Sequence, residues 1–285
     1  MIMENARIWN AAYPPALILL EVTKQLSSLV DGDFRKALVF GGVLGASLNV
    51  LGEDREARDI TNSNAISVYH LSNYLKLSYS TSQRQVVTLV QRGLCEFGPD
   101  GVLVPSRVIE TVIVSRAVSD LRAAASRFLT LTEGCEPAGG GLAWLDRAPD
   151  LELVRLMVRA WLCGQRLARL ASDDDFLAAT IFVQLSALTF LQAAGLQAAG
   201  RVDGLDRMEG SVSVRELSAA LDVSYETVRR QLGRLVAAGV VDRLRNGKVA
   251  PAMRTVLSRD FTARLEHAGR VGQNLAVRLS AGPGG

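Results

Sequence analysis

Two apolar stripes of helical period follow one another in the last third of the chain. Val214, Leu217 and Leu221, with Val223 just beyond, fall at the spacing of one helix face and stop at Ser224. Val228, Leu232, Leu235 and Val236 then mark the inward face of a second helix, predicted over 225–237. A first helix of about eight residues and a turn of about four make the pair cross steeply, as in a helix-turn-helix. Gly239 closes the second helix, where a left-handed residue without a Cβ is favoured. VVDRLRNGKVAP follows, a short strand, an Asn-Gly turn at Asn246–Gly247 and a returning strand. Residues 210–254 therefore read as two crossed helices and a β-hairpin, which is a winged helix.

The same pattern occurs earlier in the chain. With Ile66 set on Val212 and no gap, Ser67, Val68, Leu71, Ser72, Leu75, Ser78, Tyr79, Thr81, Arg84, Gln85, Leu89, Val90 and Gly93 each meet an identical residue. Gly101 and Pro105 meet Gly247 and Pro251 in the same register. Two unrelated helical segments do not share identities at this density, so a second winged helix is expected over about 63–106. Farther upstream, DGDFRKALVF from Asp31 resembles DDDFLAATIF from Asp173. Carboxylates there suit helix N-caps, where they accept the free backbone N–H groups, and the repeat favours capping over a metal site. Each half then reads as helix, helix, winged helix and a long helix, the last spanning about Ser106–Thr132 and Ala252–Ser280. EGCEPAGGG at Glu133–Gly141 has the composition of a loop. The predicted organisation is an N-terminal half (1–132), a linker (133–148) and a C-terminal half (149–285).

From Phe176 to Gly200 no residue is charged, a length sufficient to cross a bilayer. Thr180, Gln184, Ser186, Thr189, Gln192 and Gln197 interrupt it, and no Trp or Tyr anchors flank it. A helix buried between the halves or in a subunit interface is expected instead, with no membrane partner. Composition agrees: 285 residues, 48% hydrophobic and 21% charged, exclude collagen-like, disulfide-scaffold and disordered classes. Cys95, Cys135 and Cys163 form no C-x-x-C pair, which argues against a zinc knuckle and fits a reducing compartment. MIMENARIWNAAYPP lacks the basic-then-apolar run of an export signal, so a cytoplasmic location is expected. The 28 Arg against 4 Lys point to a GC-rich bacterial genome.

No catalytic constellation emerges. His70 and His267 sit in unrelated predicted helices, and neither a G-x-G-x-x-G nor a phosphate-binding loop occurs. Gly41 and Gly45 form a G-x-x-x-G in an apolar run, which reads as close helix packing. Neither enzyme activity, nor a cofactor, nor a metal is expected.

VRELSAALDVSYETVRRQLGRLVAAGVVDRLRNGKV resembles the DNA-binding core of bacterial winged helix-turn-helix transcription regulators of the MarR and GntR types. The resemblance covers about 45 residues per copy and implies a mainly α fold with two winged helix-turn-helix domains, short β-hairpin wings and additional packing helices. It also implies double-stranded DNA as the partner, read in the major groove by the second helix. The outward residues there are Tyr225, Glu226, Thr227, Arg229, Arg230 and Arg234. Arg229 or Arg230 suits guanine O6/N7, whereas Ser224, Tyr225 and Thr227 suit phosphates or thymine methyls. Arg243, Arg245 and Lys248 in the wing (243–248) suit the backbone or minor groove. Val212–Arg254 carries a local charge of +4 against +3 for the whole chain.

The first copy is less basic. Tyr79, Thr81, Gln83 and Arg84 are its candidate contacts, with Gln85 as a further base reader, and Asp100 tips its wing. A phosphate backbone repels such a tip, so a pairing or interaction role is also expected of this copy. The halves are expected to pack as a pseudo-dimer, or two chains as a homodimer, placing recognition helices about 34 Å apart on successive major grooves. Two other classes share paired winged helices: structural proteins that bind other proteins, and plasmid-type replication initiators.

Overall fold

The structure, a computed structural model, describes residues 19, 21–51, 64–114, 116–132, 149–169, 175–198, 210–221, 223–256 and 258. The chain is mainly helical, with two small antiparallel hairpins. Helix α1 (21–29) leads through a turn into α2 (Phe34–Ser47). Asp33 starts α2 because its Oδ1 accepts from the N–H groups of Arg35 and Lys36, at 3.0 and 3.1 Å. In the second half, α7 (Asp150–Arg169) leads to α8 (Phe176–Ala198), and Asp175 Oδ1 accepts from Leu177 and Ala178 at the same two distances, 3.0 and 3.1 Å. The upstream resemblance is thus a pair of equivalent N-caps.

Helix α8 is apolar on every side, which requires burial on every side. Ala179, Ile181, Leu185 and Ala187 have no exposed surface. Among the described residues no helix is long and apolar enough to cross a membrane. The neighbours of α8 are α7 and the second helix–turn–helix: α9 (Val214–Leu221), α10 (Tyr225–Ala237) and the strand β4 (Val249–Pro251). Helix α2 packs in the same way on α3 (Val68–Leu75), α4 (Tyr79–Gln91) and β2 (Gly101–Leu103).

Helices α2 and α7 join the two assemblies. A Cβ on Gly41 would lie 2.5 Å from the Trp161 ring, and one on Gly45 would lie 2.6 Å from Leu162. The G-x-x-x-G is therefore a site of close helix approach. Trp161 is fully buried and donates Nε1–H to Thr23 Oγ1 at 2.9 Å, across 138 residues of sequence. Thr23 in turn donates to the Leu19 carbonyl at 2.6 Å. One continuous apolar core runs through both halves. Arg122 pairs with Asp150 at 2.6 Å at its edge.

The two helix pairs close alike. Gly93 and Gly239 end α4 and α10 with φ of 71° and 70°. The hairpin β1 (Glu96–Gly98) and β2 matches β3 (Val241–Arg243) and β4, and a residue before each helix pair adds a bridge to the returning strand: Ile66 to Val102, Val212 to Val249. These bridges correct the gapless alignment. Ile66 and Val212 are equivalent, so Val102 is equivalent to Val249, one residue off the sequence register. The extra residue lies in the second hairpin loop, so the Gly101–Gly247 and Pro105–Pro251 identities do not mark equivalent positions. Gly101 is required because a Cβ would sit 2.5 Å from the Ile66 backbone, whereas Gly247 faces open space at the turn. Nor is the second turn a two-residue Asn-Gly loop: Gly247 N–H reaches the Leu244 carbonyl at 3.0 Å, and Leu244 pairs with Lys248 at 2.9 Å. Three residues therefore form the tip.

The long helix expected over 106–132 is described as α5 (Ser106–Val114) and α6 (Arg116–Thr132). The helix expected over 252–280 begins as α11 (Met253–Val256). All of that helix beyond α11 except Ser258, together with the linker 133–148, lies outside the described residues.

Candidate nucleic-acid interface

Helix α9 starts with a reciprocal cap. Ser213 N–H donates to Glu216 Oε2 at 2.6 Å, and Glu216 N–H donates to Ser213 Oγ at 3.2 Å. The bonds from Ser213 hold the Glu216 carboxyl below its ordinary value, with Lys248 in the wing adding a smaller pull. His70 takes this place in the first copy, its Nδ1 2.9 Å from Ser67 Oγ. It is therefore a capping partner as well as a surface residue.

Ser224 caps α10, accepting from Thr227 N–H and bonding Thr227 Oγ1 at 2.8 Å. Ser78 and Thr81 repeat this on α4, at 2.7 Å between hydroxyls. The shared Ser-Tyr-x-Thr is thus a helix start, and it turns both hydroxyls toward each other. Tyr225 and Tyr79, between them, stay about half exposed, at 47% and 49%.

The arginines of α10 differ in what holds them. Arg229 places Nε and Nη2 on the two Glu226 oxygens at 2.8 and 2.6 Å, a forked ion pair in open solvent. That pairing lowers the Glu226 carboxyl and raises the Arg229 guanidinium from their ordinary values. Arg234 reaches Asp175 Oδ2 at 3.2 Å. Gln231 Nε2 donates to the same oxygen at 3.3 Å. Arg230 is exposed and is held by no hydrogen bond or ion pair among the described residues.

Asp175 holds the contacts that sequence reasoning missed. One oxygen caps α8 and the other ties α10 to the core, from 56 and 59 residues away. Its capping was legible, but no local signal announces a contact at that separation. In the wing, Arg243 and Arg245 are exposed and Lys248 is half-buried at the base. The hairpin packs on α10, so its charges and those of the helix share one module.

On α4, Gln83 and Arg84 are exposed and Thr81 is half-buried. Gln85 is not a base reader, being only 7% exposed, and its equivalent Gln231 is 4% exposed. Both lie on the apolar stripe of their helix, so position overrides polarity. The first copy also presents Tyr69 and Phe97, at 62% and 58% exposure, where the second has Arg215 and Arg243. Asp100 is exposed at its wing tip.

Among the described residues no group of His, Cys, Asp and Glu is placed to hold a metal ion. Cys95 is buried just before β1, and burial pushes its thiol up to about 12.

Residues 207–253 match the family model of the DeoR-like helix-turn-helix domain. The match covers α9, α10 and the second hairpin and does not extend to the first copy. No curated protein and no solved structure matches the chain. A helix-turn-helix domain of this type supports DNA binding and points to a transcriptional regulator rather than an enzyme.

Proposed function

We propose that the chain is a sequence-specific DNA-binding regulator with two winged helix-turn-helix heads, at about 63–106 and 210–254, carried by the halves 1–132 and 149–285 around a linker at 133–148. The observation that carries this reading is the exposed basic surface of α10 and its wing within the segment that matches a DNA-binding domain. Arg230, held by no hydrogen bond or ion pair among the described residues, reads a guanine edge in the major groove. Arg229 joins it once Glu226 releases the fork. Tyr225 and the capped helix start formed by Ser224 and Thr227 meet phosphate, as does Arg234 at the far end. Arg243, Arg245 and Lys248 follow the backbone beside the groove. In the first head Tyr79, Thr81, Gln83 and Arg84 face the duplex.

A second reading applies to the first head alone. Tyr69 and Phe97 replace arginines, and Asp100 tips the wing, so this head suits a protein partner better than a phosphate backbone.

The test is selection of the full chain on a random duplex pool, with affinity measured across a salt series. The expected result is an enriched motif and a steep negative slope of log affinity on log salt. Enrichment of two half-sites assigns both heads to DNA, and enrichment of one assigns the first head to a partner. Absence of binding at low salt overturns the regulator reading.

A further inference from the structure

Helix α4 buries Ser82, Gln85, Val86 and Leu89, which turns Gln83, Arg84 and Val87 to its opposite, exposed face. At the three corresponding places α10 carries Arg229, Arg230 and Gly233. One of the three is the same, and the two that differ change what the helix surface recognises. Gln83 offers a carbonyl acceptor and an N–H donor side by side, whereas Arg229 offers donors alone. Val87, 38% exposed, adds an apolar surface one turn beyond Gln83. A Cβ at Gly233 would meet nothing within 4 Å, so α10 leaves that place open.

Gln83 is also unencumbered. Ser80 stands where α10 has Glu226, and its hydroxyl lies 3.2 Å from Ser78 Oγ. The side chains of Gln83 and Arg84 make no hydrogen bond or ion pair among the described residues. Arg229, by contrast, has its fork on Glu226. Nearby arginines are already paired: Arg92 with Asp31 at 2.7 Å and Arg107 with Glu96 at 3.6 Å. The first head therefore brings little free positive charge to a phosphate backbone, and what it adds to DNA recognition lies in the groove.

We infer that Gln83 sets the sequence preference of the first head by selecting an adenine, so that the two halves of the DNA site differ in base composition. In the major groove adenine presents an acceptor and a donor together, N7 and N6–H. Gln83 Nε2–H donates to that N7, and Oε1 accepts from N6–H. Guanine presents two acceptors, O6 and N7, which match the paired donors of Arg229 or Arg230 and not a carboxamide. Arg84 takes a guanine beside the adenine, and Val87 covers a thymine C5-methyl group. The first half-site is therefore mixed, with adenine and thymine, and the second is guanine-rich. The inference rests on the reading of the first helix pair as a DNA-binding head.

The experiment selects the full chain, as wild type, Gln83→Arg and Gln83→Ala, on the same random duplex pool. The wild type is expected to enrich a site with an adenine in one half, and Gln83→Arg to replace that adenine with guanine and leave the other half unchanged. Gln83→Ala should lose discrimination at that one position. Titration against duplexes that differ only there should give the wild type a preference for adenine of about 5- to 150-fold, reversed in Gln83→Arg. The slope of log affinity on log salt should be the same for wild type and Gln83→Ala, since no charge is removed. Both variants should keep the far-UV CD spectrum of the wild type, because Gln83 is exposed and bonds to nothing within the described residues. A motif identical in all three proteins overturns the inference and leaves the regulator reading intact. A general loss of affinity in the variants with the preferred base unchanged overturns it too, and assigns Gln83 a structural role. A wild type that binds no duplex at low salt is the separate outcome that refutes the DNA-binding reading, and the inference with it.

Discussion

Arginines at neighbouring positions of one helix are not equivalent, because the atoms around them have already committed some of their donors. Arg230→Ala should weaken specific binding about 5- to 150-fold, the loss of one bidentate base contact. Arg229→Ala should cost less, since its fork is spent on Glu226 in the free protein. Glu226→Gln should raise affinity by freeing that fork and removing a negative charge from α10. Equilibrium titration against one enriched duplex ranks the three, and equal losses for Arg229→Ala and Arg230→Ala would contradict the assignment. At Asp175, Asn keeps an oxygen for the α8 cap but gives up the charge that holds Arg234. Asp175→Asn should therefore leave the fold in place and increase non-specific DNA affinity at low salt, read by anisotropy with a scrambled duplex.

Glu216 gives a pH signature at the same scale. Its carboxyl is held low in the folded protein, so its stabilisation is present above the ordinary carboxylate range and lost as pH falls through the lowered value. Urea melts of Glu216→Ala should show a deficit of about 0.5–2 kcal/mol at pH 7, typical of a lost cap, that closes as pH falls below the ordinary carboxylate range. A deficit unchanged by pH would mean that the charge is irrelevant.

At the scale of elements, the proposed role of the wing is one of charge and not of sequence. Replacing Arg243, Arg245 and Lys248 with Ala should weaken binding about evenly across sequences and flatten the salt slope by roughly 2–3, at about 0.9 per phosphate contact. A loss confined to one sequence would argue for base contacts. The helices of the two helix pairs were legible because each carries its own stripe and cap: the expected 225–237 matches α10 at both ends. The hairpins were legible in kind but not in register. Three-residue strands carry too few side chains to fix their pairing, and the bridge from Ile66 or Val212 that does fix it is remote in sequence. Gln85 misled in the opposite way, since a polar residue on an apolar stripe reads as a contact when it is a buried neighbour. The contacts of Asp175 with α10 were illegible because they exist only where elements far apart in the chain meet.

For the molecule as a whole, the decisive contact is between α2 and α7. Gly41→Val would drive a branched side chain into the Trp161 ring, where even a Cβ lies at 2.5 Å. Overpacking of this kind costs about 1–3 kcal/mol. Because one apolar core spans both halves, the loss should lower a single unfolding transition, with tryptophan fluorescence and far-UV CD moving together. Two separated transitions would show that the halves fold independently.

That shared core also sets how occupancy responds to dose. Two heads brought together by association of separate chains engage their site with a steepness that depends on protein concentration, and dilution separates them. Heads fixed on a common interior are already paired in every molecule. Under the two-headed reading, one chain then fills one bipartite site along a simple hyperbola. Its two unlike heads give the complex a fixed direction on the duplex, so a neighbour bound on either side always meets the same face.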